Sequence, residues 1–113
     1  NGHATQYKAK PLQVKKGERI RVWVMAAGPN HGTSFHVVGS QFDTVYKEGG
    51  YLMRRGADAF GSRDGHSQAL DLAPAQGGFV EMQFLESGTY TFVNHSFSEM
   101  ERGAAGKIVV TNR

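Results

Sequence analysis

Short segments in which apolar and polar residues alternate with a period of two, cut by glycine-rich turns, narrow the folds open to this chain more than any other feature. Ile20, Val22 and Val24 alternate with Arg19, Arg21 and Trp23, and Val80, Met82 and Phe84 alternate with Phe79, Glu81 and Gln83. A period of two sends successive side chains to opposite faces of a strand, so each segment has one face to bury and one to leave wet. Leu12 and Val14 alternate as well, and Lys15-Lys16-Gly17-Glu18 reads as a turn, which predicts a hairpin over 12–24. Further strands are predicted at 35–38, ended by Gly39, and at 42–46, with Phe42, Thr44 and Tyr46 sharing a face. Others follow at 69–72, 78–85, 89–94 and 107–111, set off by Gly28-Pro29-Asn30, Pro74-Ala75-Gln76-Gly77 and Glu86-Ser87-Gly88. About seven or eight short strands with one helical turn make an all-β, antiparallel β-sandwich the expected architecture.

Two stretches depart from the strand pattern. Residues 47–67 are glycine-rich, carry Arg54 and Arg55 side by side and show no clean period. They read as a long surface loop with one turn of helix at 53–59. Ser96-Phe97-Ser98-Glu99 fits a capping box, in which serine and glutamate side chains satisfy the first free N–H groups of a helix. Phe97 and Met100 then fall three apart and are expected to face the sandwich, and Gly103 suits a left-handed C-terminal cap. His95 therefore lies at a strand end, just before a pinned helix start.

Composition excludes several chemistries. At 113 residues the chain is read as one domain, 1–113. Its net charge of +3 comes from scattered lysines and arginines rather than a basic stripe, which argues against a nucleic-acid surface. No apolar run approaches the ~18 residues of a membrane-spanning helix. The chain begins at Asn1 with no secretory signal, as a mature or excised piece would, so the compartment is not readable from it directly. The chain has no cysteine. Disulfides, thiolate nucleophiles, iron–sulfur clusters, cysteine-bound zinc and the thiolate of a blue-copper centre are all excluded with it. Any metal must be held by histidine and oxygen.

Five histidines are available, His3, His31, His36, His66 and His95. His36 and His95 sit in or at the end of apolar strands, where a histidine is either a hydrogen-bonded strand residue or a ligand. His31 and His36 are five apart across a bend, which is not same-face spacing. His66, beside Asp64 and Gly65, reads as solvated, and His3 lies near a chain end. There is no H-x-H pair. Gly61-Ser62-Arg63-Asp64-Gly65 lacks the strand and helix of a nucleophile elbow, and the glycines of 49–65 match no phosphate loop.

Phe92-Val93-Asn94-His95, followed by Glu101-Arg102-Gly103-Ala104-Ala105-Gly106-Lys107-Ile108-Val109-Val110, resembles the end of the second, C-terminal cupredoxin domain of copper-containing nitrite reductases and two-domain multicopper oxidases. Ser34-Phe35-His36-Val37-Val38-Gly39 with Phe42-Asp43-Thr44-Val45-Tyr46 resembles a second diagnostic stretch, and Pro74-Ala75-Gln76-Gly77-Gly78 a third. The resemblance implies a Greek-key, plastocyanin-like sandwich that forms part of a copper-dependent oxidoreductase and is inactive alone. It implies a type 2 copper between domains of neighbouring subunits of a homotrimer, in a periplasmic or extracellular enzyme. By position His95 is similar to the one ligand this domain contributes, His36 to the histidine that hands protons to bound nitrite, and Val38 to the apolar residue over the metal. His31 is placed like a type 1 copper ligand but lacks its cysteine and methionine partners, Ala104 standing where the methionine would be. The type 1 site is therefore absent from this reading, and His31 is kept only as an additional ligand candidate. Two other readings remain: a cupredoxin-like structural or copper-binding module without catalysis, and the second domain of a two-domain laccase-type oxidase.

Overall fold

The computed structural model describes residues 3–112. Its elements are α1 (Gln6–Ala9), β1 (Leu12–Lys15), β2 (Arg19–Met25), β3 (Thr33–Val37), β4 (Thr44–Lys47), β5 (Gly50–Met53), β6 (Ala69–Leu72), β7 (Gly77–Gln83), β8 (Gly88–Asn94), α2 (Phe97–Glu101) and β9 (Ala105–Thr111). They form a two-layer sandwich, a five-stranded sheet in the order β1-β9-β8-β3-β6 over a four-stranded sheet in the order β2-β7-β4-β5. The chain crosses repeatedly from one sheet to the other, as in a Greek key, and the all-β expectation holds. Among the described residues no helix is long and apolar enough to cross a membrane.

The core lies between the sheets. Phe35, Val37, Leu70, Leu72, Ile108 and Val110 come from the first sheet and meet Val45, Val80, Met82 and Phe84 from the second. The period-two reading of β7 holds for which side chains enter the core, Val80, Met82 and Phe84, but the opposite face is not wet, since Phe79 and Glu81 are buried as well. Phe42 closes the core from the loop before β4 and stacks on Phe35 at 6.0 Å.

Four local expectations are corrected. Residues 12–24 are not a hairpin, because β1 and β2 belong to different sheets. The turn between them carries the chain across the sandwich, with Lys16 N–H on Thr111 O and Gly17 N–H on Phe84 O. Alternation marks two half-buried strands but not which sheet each joins; β1 instead pairs in parallel with β9, Leu12 opposite Ile108 and Val14 opposite Val110. Phe42, Thr44 and Tyr46 do not share a face: Phe42 and Val45 are in the core, while Tyr46 stacks on Phe79 at 4.8 Å on the outer side. Residues 47–67 contain β5, paired with β4 across a bulge, and an Arg54–Ala57 bridge in place of the helical turn. Finally, α1 was not foreseen. It packs where Gly106 has no side chain, since a Cβ there would lie 2.6 Å from Tyr7 Cβ and 2.5 Å from the Phe92 ring.

The outer side of the four-stranded sheet is tied by charge. Arg19 grips Asp43 with two bonds of 2.9 and 2.6 Å and reaches Glu81 at 3.1 Å, which Arg21 also binds at 2.8 Å. Burial alone would raise the Asp43 pKa, but hydrogen bonds from Arg19 and Thr44 outweigh it and hold the carboxyl below its ordinary range. A depressed folded-state pKa adds stability above the unfolded value near 3.8, and that stability is lost as pH falls through the lower folded value. Two outcomes are expected. Acidification from pH 6 to pH 3 lowers the denaturation midpoint of the wild type more than that of Asp43→Asn, as thermal melts at the two pH values would record. Phe42→Ala, which empties a fully buried ring position, costs about 3–5 kcal/mol in urea unfolding.

Candidate metal-ligand site

The pairing of β3 with β8 decides where the candidate residues meet. Phe35 lies opposite Asn94, His36 opposite Val93 and Val37 opposite Phe92. The register continues past the strand end, because His95 N–H donates to Ser34 O at 2.8 Å. Phe35 and Val37 point into the core, so His36 must point out of the sheet, with Val93 beside it and His95 as the diagonal neighbour. The His36 and His95 ring centroids are 5.7 Å apart. Val38 falls on the same outer face, its N–H bonded to Thr91 O at 2.8 Å and its side chain half exposed at 51%. All three residues therefore share the outer face, but only His36 and His95 have rings side by side; Val38 lies two residues past His36, away from His95.

Each histidine is held differently. His36 Nδ1 bonds the main-chain carbonyl of Gln68. A carbonyl only accepts, so Nδ1 carries the hydrogen, and Nε2 is the nitrogen left to take and release a proton. Gln68 is itself anchored, for its neighbour Ser67 exchanges two 2.8 Å backbone bonds with Phe42. The His95 ring is exposed and stacks on Phe97 at 4.4 Å with an interplanar angle of 27°. No described protein group hydrogen-bonds its ring nitrogens.

The helical turn after His95 stands where predicted, but its cap does not form as expected. Ser96 makes no side-chain cap bond. Asn94 supplies the acceptor instead, its Oδ1 taking N–H bonds from Ser34 at 3.1 Å and Ser96 at 3.0 Å. Glu99, expected to reach back to the helix start, receives His31 Nδ1–H at 2.8 Å. That bond, with the charge of nearby Arg102, keeps the Glu99 carboxyl below its ordinary range. Phe97 does not face the sandwich; it is 52% exposed, under His95. Gly103 does adopt positive φ, +110°, where the turn ends.

His31 is thus engaged with Glu99 and does not join His36 and His95. His66 is exposed, as read, yet lines with His36 one cavity of about 580 Å³ beside Gln41, Gln68 and Tyr90. Among the described residues no group of three or more histidines, aspartates or glutamates could hold a metal ion. Two imidazoles are too few to enclose a metal ion, so a metal bound here would need further ligands from another surface. Sequence reasoning missed Asn94 and Gln68. The first could have been found from its place before a helix start; the second acts through its backbone, which carries no sequence signal.

Asn94 is the local prediction. Asn94→Ala leaves two main-chain N–H groups without their acceptor and is expected to cost about 1–3 kcal/mol in chemical denaturation. Asn94→Asp, which keeps an acceptor oxygen, is expected to recover most of that loss.

No protein-family model matches the chain. It is 36% identical over 113 residues to the copper-containing nitrite reductase of Neisseria gonorrhoeae, an alignment that takes in 97% of this chain and 26% of that protein. Over 78 residues it is 33% identical to the multicopper oxidase of Staphylococcus epidermidis, covering 69% of this chain and 16% of the other. The solved Cu-containing nitrite reductase of Thermus scotoductus superposes with a TM-score of 0.82 at 25% identity, over 98% of this chain and 24% of that one. The chain thus spans about a quarter of the length of the nitrite reductases it matches. With a two-sheet sandwich and likeness of this extent in sequence and structure, it is a C-terminal-like cupredoxin domain of the family of copper-containing nitrite reductases and multicopper oxidases.

Proposed function

We propose that this domain contributes His95 as one ligand of a type 2 copper shared with another cupredoxin domain or subunit, and that His36 delivers protons to a nitrite bound there. The observation that carries the reading is the pair of outward-facing rings, 5.7 Å apart, on the side of the sheet away from the core. The chain has no cysteine for a type 1 copper, so the electron would reach the site from elsewhere in the parent protein. A copper held by imidazoles with an open position attracts a small anion and supplies an electron for its reduction.

The domain's own residues have distinct parts in this scheme. His95 offers an exposed imidazole on a backbone fixed by Ser34, with Phe97 packed under the ring to limit its rotation. His36, its Nδ1–H committed to Gln68, presents Nε2 as the nitrogen through which it would pass a proton to the bound anion. Val38, half exposed on the same face two residues past His36, would restrict the approach to a small ligand in this reading. The parent protein in this reading is a homotrimeric nitrite reductase of the periplasm or cell exterior, and the isolated chain is inactive. The likeness to a multicopper oxidase favours a second reading, in which dioxygen takes the place of nitrite.

Copper titration separates these from a purely structural role. The isolated chain is expected to give a weak type 2 copper EPR signal with no intense blue absorption, and His95→Ala to lower its copper affinity at least about 10-fold. Equal affinities in wild type and variant would leave only the structural module. In the parent protein, His36→Ala is expected to leave copper occupancy unchanged and slow nitrite turnover by about 10²–10⁴. Turnover of dioxygen without nitrite would select the oxidase reading.

A further inference from the structure

Helix α2 carries the ring that meets His95, yet none of its residues is buried. Phe97 is exposed, while Glu99 and Met100 are half buried. Both ends of the turn are fixed. At the entry Asn94 Oδ1 takes the Ser96 N–H at 3.0 Å. At the exit Gly103 turns against Ala4, where a Cβ would lie 2.7 Å from the Ala4 side chain. Fixed ends decide where a five-residue turn sits but not how it is rotated about its axis. That rotation decides whether Phe97 lies against His95.

Among the described residues, one side-chain hydrogen bond ties α2 to another part of the fold: His31 Nδ1–H donates to Glu99 Oε1 at 2.8 Å. Arg102, at the end of the same turn, lies 3.8 Å from that oxygen and adds charge without a second anchor. His31 is itself fixed. The next residue, Gly32, packs against the main chain at the end of β6, since a Cβ there would collide with Leu72 O. The loop before it is held by Ala26, whose N–H bonds Gln76 O at 3.0 Å and whose O accepts Ala75 N–H at 2.7 Å. Phe97 and Glu99 are two apart, about 200° around a helix, so they leave α2 on opposite sides. Holding Glu99 toward the loop between β2 and β3 therefore turns Phe97 the other way, onto the His95 ring.

We propose that the Glu99–His31 bond is a latch that orients the His95 ring through Phe97, which makes Glu99 and His31 positioning residues for that imidazole. Its consequence for copper rests on the reading of His95 as a ligand; the orientation itself does not. Exposure favours this role over a stabilising one. The His31 and Glu99 side chains are 63% and 26% exposed, and a pair that wet adds little to stability. The ring also needs the help. A metal-binding imidazole is ordinarily oriented by a hydrogen bond to its second nitrogen. His36 has the Gln68 carbonyl for such a bond, whereas His95 has no described partner for its nitrogens and has the Phe97 stack instead.

Nuclear magnetic resonance of the metal-free chain tests the orientation, with Phe97→Ala giving the shifts of a His95 ring that has lost its stack. Glu99→Ala is expected to move the His95 ring-proton shifts most of the way to those of Phe97→Ala, with the thermal midpoint unchanged. Glu99→Gln keeps an acceptor oxygen for His31 and is expected to hold them near wild type. Wild-type shifts in Glu99→Ala would overturn the proposal, as would a change in Glu99→Gln as large as that in Glu99→Ala. Copper EPR of the parent protein tests the consequence. One type 2 species is expected in wild type and Glu99→Gln, and a mixture of species in Glu99→Ala. A single unchanged species in Glu99→Ala, where His95→Ala does alter the spectrum, would also refute the latch. A spectrum that His95→Ala leaves unaltered would instead remove the ligand reading, and the ring-proton shifts would still decide the latch.

Discussion

Everything that bears on the candidate site depends on the antiparallel register of β3 against β8. With Phe35 opposite Asn94 and Val37 opposite Phe92, the apolar side chains turn inward and His36 has nowhere to go but out. A slip of β3 by one residue would turn His36 inward, away from His95, and expose Phe35 and Val37, at a cost no surface contact could offset. The register is pinned at the strand end by Asn94, whose one oxygen serves a main-chain N–H from β3 and another from the start of α2. Core packing and ligand placement are thus two results of one pairing.

The two sheets carry different burdens. The five-stranded sheet presents histidines outward and has its helical turn stacked against one of them. The four-stranded sheet has an outer face built from Arg19, Arg21, Asp43 and Glu81 with Trp23, Tyr46 and Phe79 beside them, the Arg21 guanidinium lying 3.9 Å over the Phe79 ring. Such a face holds strands in register through cross-strand pairs. It leaves the first sheet free to be shaped by what it presents. The same division explains how the domain folds around its core while the surface that carries the two candidate ligands adds little to its stability.

Some of the site was legible and some was not, for physical reasons. That His95 follows a strand and precedes a helical turn could be read from Phe92-Val93-Asn94 and Ser96-Phe97-Ser98-Glu99, because both patterns are local. That Glu99 would leave its expected cap for His31, 68 residues away, could not, because an imidazole N–H brought up by the fold takes the carboxylate in place of a local backbone N–H. Phe97 was expected inward and instead lies beneath His95, since three-residue spacing identifies a pair of side chains but not which surface they meet. Residues 47–67 were unreadable for a related reason. β5 is short, its residues largely exposed, and it is held by pairing with β4 rather than by any apolar period.

By itself the sequence determined the fold class, the strands of greatest regularity and the exclusion of thiolate chemistry, while His36, Val38 and His95 stood out through the resemblance of two short stretches to a known family. These follow from alternation, from the absence of cysteine and from motifs a few residues long, all properties of neighbours in the chain. Only the tertiary structure decided that β1 and β2 part into different sheets, that His36 and His95 share a face with their rings 5.7 Å apart and that Gln68 sets the His36 tautomer. Each of these depends on which strand lies beside which. Alternation shows that a strand has two faces; the hydrogen-bonded partner across the sheet decides what each face meets.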